Sequence, residues 1–405
     1  MQSASVKRAF KFRFYPTDVQ AAELTRTFGC VRFVYNLALE ARSEAWRLHG
    51  ERITYNTTSA MLTLWKQTDE LAFLNDVAAV PLQQVLRHLQ SAFVAFWDKR
   101  ARYPRFKSLK KSRASAEYSR SGFRYHDGQL TLAKLAEPLK VVWSRPLPEG
   151  IQPSTVTVSC DRAGRWFVSL LCDDSGVESP PVTDAAVGID MGLASLAVLS
   201  TGEKVMNPKH EVREQIRLAR AQRRLARKAP GDGENRKKAR RAVARIHCRI
   251  ADRRSDYLHK VTTRLVRENQ TLVIEDLKVR GMVRNRGLAR AIVDASWRQF
   301  RTMLEYKGSR YGREVIVVDQ WFPSSKLCSA CGAVADDMPL VVREWACETC
   351  GVTHDRDVNA ARNILAAGLA VAVCGDGVSP HRDTPRRQSS VKQKPRLVRA
   401  GTATR

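Results

Sequence analysis

Two short cysteine knuckles constrain this chain more than any other feature. Cys328-x-x-Cys331-Gly332 is followed, 15 residues on, by Cys347-x-x-Cys350-Gly351. Zn²⁺ takes four thiolates in a tetrahedron, and one CxxC turn delivers two of them on converging vectors. The glycine after each pair can take positive φ, turning backbone N–H groups toward the sulfurs. The spacing predicts a zinc ribbon at about 321–351 holding one structural Zn²⁺, closed rather than catalytic because Cys fills all four positions. Buried or disulfide-bonded cysteines are the competing reading. The odd total of nine Cys and the lack of an apolar secretory leader argue against disulfides. Cys30, Cys160, Cys172, Cys248 and Cys374 are scattered and read as ordinary buried thiols. His354 reads as a surface residue or a neighbour of the thiolates.

Upstream, the patterning changes along the chain. Residues 6–14 alternate, with Phe10, Phe12 and Phe14 on one face and Lys11 and Arg13 on the other, which predicts a half-buried strand. Pro16-Thr17-Asp18 breaks it and opens a helix. Apolar residues at threes and fours predict helices through 18–102, with Tyr35, Trp46, Trp65 and Trp97 expected for the most part in their core and a minority able to stack on bases. Short strands at 139–143, 154–160 and 165–172 read as a small β-module that the first strand could join. Residues 186–200 are a nearly continuous apolar strand run folding back on Glu203-Lys204-Val205. Residues 271–277 are a second buried-type strand. A helix is expected over 291–310, a strand over 314–319 and an apolar helix over 358–369. The Pro-, Ser- and Arg-rich tail at 375–405 reads as disordered and basic.

Lys and Arg number 69 against 41 Asp and Glu, a net charge of +28. Such an excess points to a polyanionic partner, nucleic acid foremost, although an Arg-favouring genome would also raise it. Near half of it lies in 209–267, with about 20 Lys and Arg against about six Asp and Glu. Pro230-Gly231-Asp232-Gly233 divides this segment into two helices expected to fold back on each other. Val243, Ile246, Ile250, Tyr257, Val261 and Leu265 give the second a packing face, and Arg236, Lys237, Lys238, Arg241 and Arg245 are candidates for phosphate contacts. Arg105, Lys107 and Lys110, interleaved with Tyr103 and Phe106, form a second candidate contact, though composition fits a solvated loop nearly as well. No run approaches the roughly 18 consecutive apolar residues of a membrane helix. A cytoplasmic, nucleoid-associated protein without membrane partners is expected.

Five carboxylates stand out. Asp190 lies inside the first apolar run, Glu275 and Asp276 end the second, and Asp355 and Asp357 stand at a helix start. A carboxylate in a buried strand is costly unless paired. Arg pairing would meet that cost, and Asp355 suits an N-cap. Metal binding would meet it too. Acids from two strands and a helix start can gather at one sheet edge, and nucleases use such sets to hold two Mg²⁺ about 3.5–4 Å apart. No visible His or Ser constellation competes for catalysis.

GIDMG at 188–192, VIEDL at 273–277 and DRDVNAARNI at 355–364 resemble the three segments of a RuvC-like, RNase H-fold nuclease. The basic helical hairpin falls between the first two. The ribbon, preceded by Pro323-Ser324-Ser325-Lys326, falls between the last two. That order resembles the TnpB proteins of insertion sequences, RNA-guided nucleases related to compact type V CRISPR effectors. FKFRFYPT (10–17), VYNLAL (34–39) and YPRFKS (103–108) extend the resemblance over about 1–370.

The resemblance implies an α/β RNase H-like (RuvC) nuclease domain over 183–320 and 352–374, with the basic hairpin and the four-cysteine zinc ribbon (321–351) inserted. It implies also a helical lobe (18–102) and an N-terminal β-module (1–17 and 103–182) that recognise a short target-adjacent motif and hold the guide RNA–DNA heteroduplex. Asp190, Glu275 and Asp357 would then be the catalytic triad binding two Mg²⁺. Asp357 is preferred to Asp355 on the Asp-x-Asn-Ala-Ala pattern, and Asp276 is expected on the other face of its strand. Guide RNA and target double-stranded DNA are the implied partners. Two alternatives stand: a conventional DNA transposase acting on element ends, and an RNA-guided DNA-binding regulator without cleavage, against which the intact carboxylates argue.

Overall fold

The computed structural model describes residues 6–147, 150–174, 179–231, 233–339 and 341–374. The tail at 375–405 that the sequence marks as disordered lies outside them. The chain opens with β1 (Val6–Phe14), whose alternation buries Phe10, Phe12 and Phe14. Thr17 then caps a helix: Gln20 N–H donates to its Oγ1, and the Gln20 side chain accepts from Thr17 N–H. Three helices follow, α1 (Asp18–His49), α2 (Tyr55–Trp65) and α3 (Ala79–Trp97), with a 3₁₀ segment at Asp69–Asn75. Val34, Leu39, Leu82, Leu86 and Leu89 join the β1 phenylalanines in one core. Tyr35 is buried with them, and Trp65 packs against the same core half-buried. Trp46 and Trp97, expected inside, are instead 55% and 43% exposed.

Next come β2 (Ala114–Ser119), β3 (Phe123–His126), β4 (Gln129–Leu132), β5 (Val141–Val142), β6 (Thr155–Cys160) and β7 (Trp166–Asp174). They build an antiparallel sheet in the order β2-β6-β7-β1-β5, beside a separate β3–β4 hairpin. The first strand pairs with β7 along its full length, from Val6–Asp174 to Phe14–Trp166.

A second sheet runs in the order β10-β9-β8-β11-β12. It comprises β8 (Ala186–Asp190), β9 (Ser195–Leu199), β10 (Lys204–Met206), β11 (Thr271–Glu275) and β12 (Glu314–Val318). Of these, β8, β11 and β12 are parallel, and β9 and β10 extend the sheet antiparallel. The apolar run at 186–200 is therefore two strands, turning just after Asp190. Between β10 and β11 stand α4 (His210–Ala226) and α5 (Gly233–Glu268), packed on each other. Glu214, only 4% exposed, pairs with Arg253 (3.0 Å), Arg217 (3.5 Å) and Arg249 (3.8 Å). Part of the positive charge is thus neutralised inside the hairpin rather than offered outward.

Beyond β11 lie α6 (Val279–Met282), α7 (Ala289–Ala295) and α8 (Trp297–Tyr311). The helix expected over 291–310 is broken at Ser296, which takes φ 55° and ψ 42°. Helices α5 and α8 cover one face of the second sheet, with Leu258, Leu265, Phe300 and Leu304 against Val187, Ile189, Leu272 and Ile274. The strands β13 (Glu344–Ala346) and β14 (Thr353–Asp355) pair in the cysteine segment and lead into α9 (Arg356–Cys374), which covers the other face. That helix nearly touches the strands. A Cβ on Gly188 would stand 2.1 Å from Ala361 O, and one on Gly368 would stand 2.3 Å from Val273 Cγ1. Gly188 and Val273 are direct partners across β8 and β11. One glycine on each side of the contact lets backbone approach backbone. No described helix is long and apolar enough to cross a membrane.

Candidate active site

The close approach of α9 decides where the acids meet. Side chains alternate along a strand, so Asp190 shares the face of Gly188, and Glu275 that of Val273. Both faces lie under α9. Ile189 and Ile274, the last paired residues of β8 and β11, point instead into the core on the opposite side. Asp190 and Glu275 therefore stand side by side at the carboxyl ends of two parallel strands. Asp357 comes to them from the first turn of α9.

The electrostatics register this convergence. Burial pushes the Asp190 carboxyl up to about 7, and the charges of Glu275 and then Asp357 add to the rise, with Arg356 opposing it. Burial also raises Glu275, opposed by a hydrogen bond that Ser324 Oγ donates to its Oε1. Asp190 in this arrangement resists ionisation unless a cation joins it. They are not packed into one knot: among the described residues, only the four cysteines form a group of three or more such ligands with all atoms within 4.8 Å of one another. Hard carboxylate oxygens fit Mg²⁺, which keeps several waters and needs few protein ligands.

The neighbouring acids have other partners. Asp355 Oδ1 accepts the N–H groups of Asp357 (3.1 Å) and Val358 (3.0 Å), capping α9, and its Oδ2 accepts from Lys204 Nζ at 2.6 Å. Burial works the other way, yet these bonds hold its carboxyl below the usual range. Asp276 pairs with Arg301 of α8, on the face away from α9.

Behind the acids sits the cysteine cluster. Cys328 and Cys350 Sγ are 3.7 Å apart, and Cys331 and Cys347 Sγ 3.6 Å. A tetrahedron with Zn–S bonds of about 2.3 Å has edges of about 3.8 Å, so the four thiols fit Zn²⁺. Gly332 and Gly351 take φ of 78° and 72°, as the knuckle turns require. His354 is buried, with Nε2 3.1 Å from Cys328 Sγ and its ring against Trp345. Of the scattered thiols, Cys30 and Cys172 are buried while Cys160 and Cys248 are partly exposed.

Three residues bind this cluster to the acids, and sequence reasoning gave none of them that role. Asn359 Oδ1 accepts from Ser329 N–H (2.9 Å), and its Nδ2 donates to Leu327 O (2.7 Å). Asn363 Nδ2 donates to Ser324 O (2.8 Å) and Leu327 O (2.6 Å). Ser324 itself holds Glu275. The signal was present. The two asparagines lie four residues apart in DRDVNAARNI, and so on one helix face, and Ser324 lies in the Pro-Ser-Ser-Lys before the first knuckle.

A cavity of about 710 Å³ opens beside Glu275, lined by Lys278, Arg280, Arg284, Arg298 and Arg301. Trp321, 81% exposed, has Lys278 Nζ 5.6 Å from its ring. The candidate phosphate contacts are dispersed. Arg245 joins Arg13, Arg249 and Arg253 around a groove of about 430 Å³ between the first sheet and α5. Lys238 and Arg241 are exposed, Arg236 donates to Lys228 O, and Lys237 pairs with Glu234. Arg105 and Lys110 are exposed, whereas Lys107 lies over the Tyr35 ring at 3.9 Å with its backbone held by Asn36.

A family model described as "Probable transposase" (OrfB, IS605) matches residues 167–286. One described as "Cas12f1-like, TNB domain" matches 297–364, and one described as "Helix-turn-helix domain" matches 1–51. Within 6–51 the chain forms one strand and a single unbroken helix of 32 residues, so no turn separates two helices there. A Streptomyces pristinaespiralis protein named "Putative RNA-guided DNA endonuclease" is 66% identical over 98% of both chains. The Escherichia coli K12 protein InsQ, with the same designation, is 36% identical over 93% of this chain and 96% of its own. Among solved structures, that of the Cas12f1–sgRNA–target DNA complex matches at TM-score 0.55, with 14% identity over 89% of this chain and 98% of that one. That of the mini-RNA-guided endonuclease CRISPR-Cas_phi3 matches at 0.52, with 10% identity over 90% and 92%. At such identities the likeness is one of fold.

Proposed function

We propose that this chain, which belongs to the TnpB family of insertion-sequence-encoded RNA-guided DNA endonucleases, cuts target DNA at Asp190, Glu275 and Asp357 under the direction of a guide RNA. The observation that carries this reading is the gathering of Glu275 and Asp357 close enough to Asp190 for their charges to hold its carboxyl up, beneath one helix start and beside a groove lined by five cations. Asp190, Glu275 and Asp357 would hold Mg²⁺, which when bound supplies Lewis-acid activation of a phosphodiester and its attacking water. Ser324 fixes the Glu275 carboxylate, and Asp355 caps α9 so that Asp357 stays at its post. Lys278, Arg280, Arg284 and Arg298 suit the phosphates of the strand to be cut, with Trp321 a surface against which a base can stack. Cys328, Cys331, Cys347 and Cys350 would hold one Zn²⁺ that fixes the segment carrying Ser324, Leu327 and Ser329.

In this reading 183–320 and 352–374 form the RuvC-like nuclease, 321–351 its ribbon, and 375–405 a dispensable basic tail. The β-module (1–17 and 103–182) and helical lobe (18–102) hold guide and target-adjacent duplex, in a cytoplasmic, nucleoid-associated complex.

The test is guided cleavage of a plasmid by protein purified with its RNA. Asp190→Ala should cut slower by several orders of magnitude yet retain target affinity, which phosphate contacts dominate. Asp355→Ala should lose only the cap and the Lys204 pair, about 1 kcal/mol of stability. Wild-type cutting by Asp190→Ala would overturn the assignment. Cleavage of element ends by protein freed of RNA would favour a conventional transposase.

A further inference from the structure

The helical lobe holds a cavity of about 300 Å³ between α1 and the C-terminal end of α3. Arg42, on α1, lines it and is 5% exposed. Its Nη2 donates to Gln90 Oε1 at 2.7 Å, and its guanidinium lies over the Phe93 ring at 5.0 Å. Its Nε and Nη1 have no partner. Glu51 also lines the cavity, but Arg42 forms no ion pair among the described residues. At the rim stand Trp46, Trp97 and Tyr103, respectively 55%, 43% and 44% exposed. Arg52 stacks on both indoles, 5.6 Å from Trp46 and 5.7 Å from Trp97.

Two features here are unfavourable in the free protein. A buried guanidinium with unsatisfied N–H groups and no counter-charge destabilises the fold. Large aromatic faces left in water forgo the burial that such side chains normally gain. A ligand with an anionic group and a flat ring relieves both, because the anion satisfies Arg42 and the ring covers the indoles. The volume is at the lower limit for small-molecule sites, suited to one base rather than a stacked pair. In a chain of +28 net charge the available anion of this shape is a nucleotide.

We propose that this cavity binds a single unpaired nucleotide of a nucleic-acid strand, its phosphate on Arg42 and Arg52 and its base against Trp46 and Trp97. The site is independent of the acidic cluster and deepens the nucleic-acid reading by giving the helical lobe a discrete contact. The strand's source is guide RNA or unwound DNA, which share this chemistry.

The experiment is photo-cross-linking of the full-length protein to single strands carrying 4-thiouridine (RNA) or 4-thiothymidine (DNA), with adducts mapped by mass spectrometry. Adducts are expected at Trp46, Trp97 or Tyr103 with one or both probes, and the probe that gives them identifies the source. Arg42→Met keeps the shape and removes the charge. It should hold or raise the thermal midpoint while reducing these adducts about tenfold or more, as expected for loss of a charge-assisted contact. Trp97→Leu should reduce them comparably. Absence of rim adducts with both probes would overturn the proposal, as would adduct yield within twofold of wild type in Arg42→Met. Should Arg42→Met not fold, Arg42 is structural and the phosphate assignment falls, and Trp97→Leu then decides the base contact alone. Loss of guided cleavage with rim adducts intact would count against the nuclease reading and not against this one.

Discussion

Gly188→Ala tests the geometry on which the acidic cluster depends. A Cβ there would lie 2.1 Å from Ala361 O, 2.7 Å from Leu365 N and 2.8 Å from Leu365 Cβ. Two of these three atoms are backbone, and alanine has no rotamer with which to escape. Real Cβ contacts stop near 3.0 Å, so α9 must lift from β8 by about 1 Å, a strain that costs about 1–3 kcal/mol in an overpacked core. The protein should fold with a lowered thermal midpoint. Asp357 rides on the first turn of α9, so the same shift moves it away from Asp190 and Glu275. A misplacement of that size costs about 10²-fold in rate. Gly368→Ala provides the contrast, because the three atoms nearest its Cβ all belong to the Val273 side chain, at 2.3, 2.7 and 3.1 Å. Val273→Ala should therefore restore much of what Gly368→Ala loses, whereas nothing short of moving the helix backbone relieves Gly188→Ala. The assay is single-turnover guided cleavage at saturating enzyme, with target binding and thermal denaturation measured alongside. Gly188→Ala cutting within twofold of wild type at an unchanged midpoint would refute the argument.

Two further outcomes are expected. The Asp190 carboxyl, raised to about 7, holds its proton more tightly in the folded than in the unfolded chain, so it contributes stability at low pH that is lost as pH rises through about 7. Without added divalent cation, Asp190→Asn should therefore stabilise the fold at a pH of about 8 by at most about 4 kcal/mol, with little change near pH 4. Thermal denaturation at the two pH values checks it, and an equal gain at both would contradict the electrostatic cause. Cys347→Ser should lose zinc by metal analysis and, through Ser324, Leu327 and Ser329, slow cleavage about tenfold or more while RNA stays bound. A zinc-free variant cutting at the wild-type rate would show that the ribbon and the acids are independent.

Much of this was legible because periodicity and spacing carry it. The Phe10-Phe12-Phe14 alternation gives β1, the Pro230–Gly233 break separates α4 from α5, and the CxxCG pair announces the cysteine cluster. Four things were not legible, each for a physical reason. The strands β2 to β4 do alternate, burying Ala116 and Tyr118 in β2 and Leu130 and Leu132 in β4, but each spans only four to six residues, too few for the period to stand out. The run at 186–200 is nearly all apolar because β8 and β9 are both interior to the sheet, and so continuous an apolar stretch hides its own turn. The break at Ser296 depends on a left-handed residue with no glycine to mark it. Trp46 and Trp97 keep helical spacing with the core but sit at its edge, where period alone cannot separate buried from exposed.

The acidic cluster was legible as a list of residues but not as an assembly. Asp190 and Glu275 are one residue beyond a shared register, so a parallel pairing of β8 with β11 makes them neighbours whatever covers the sheet. Asp357 has no such guarantee. Its position depends on a helix that begins only after the cysteine segment and could start at many angles. Three constraints remove that freedom. Asp355 fixes where the helix begins, Gly188 and Gly368 allow it to settle against the strands, and Asn359 and Asn363 tie it to the first knuckle. The same knuckle segment presents Ser324 to Glu275. One cysteine-bearing loop thus touches both the strand acid and the helix that carries its partner. A segment inserted at this point in the chain positions the acids as well as adding a surface.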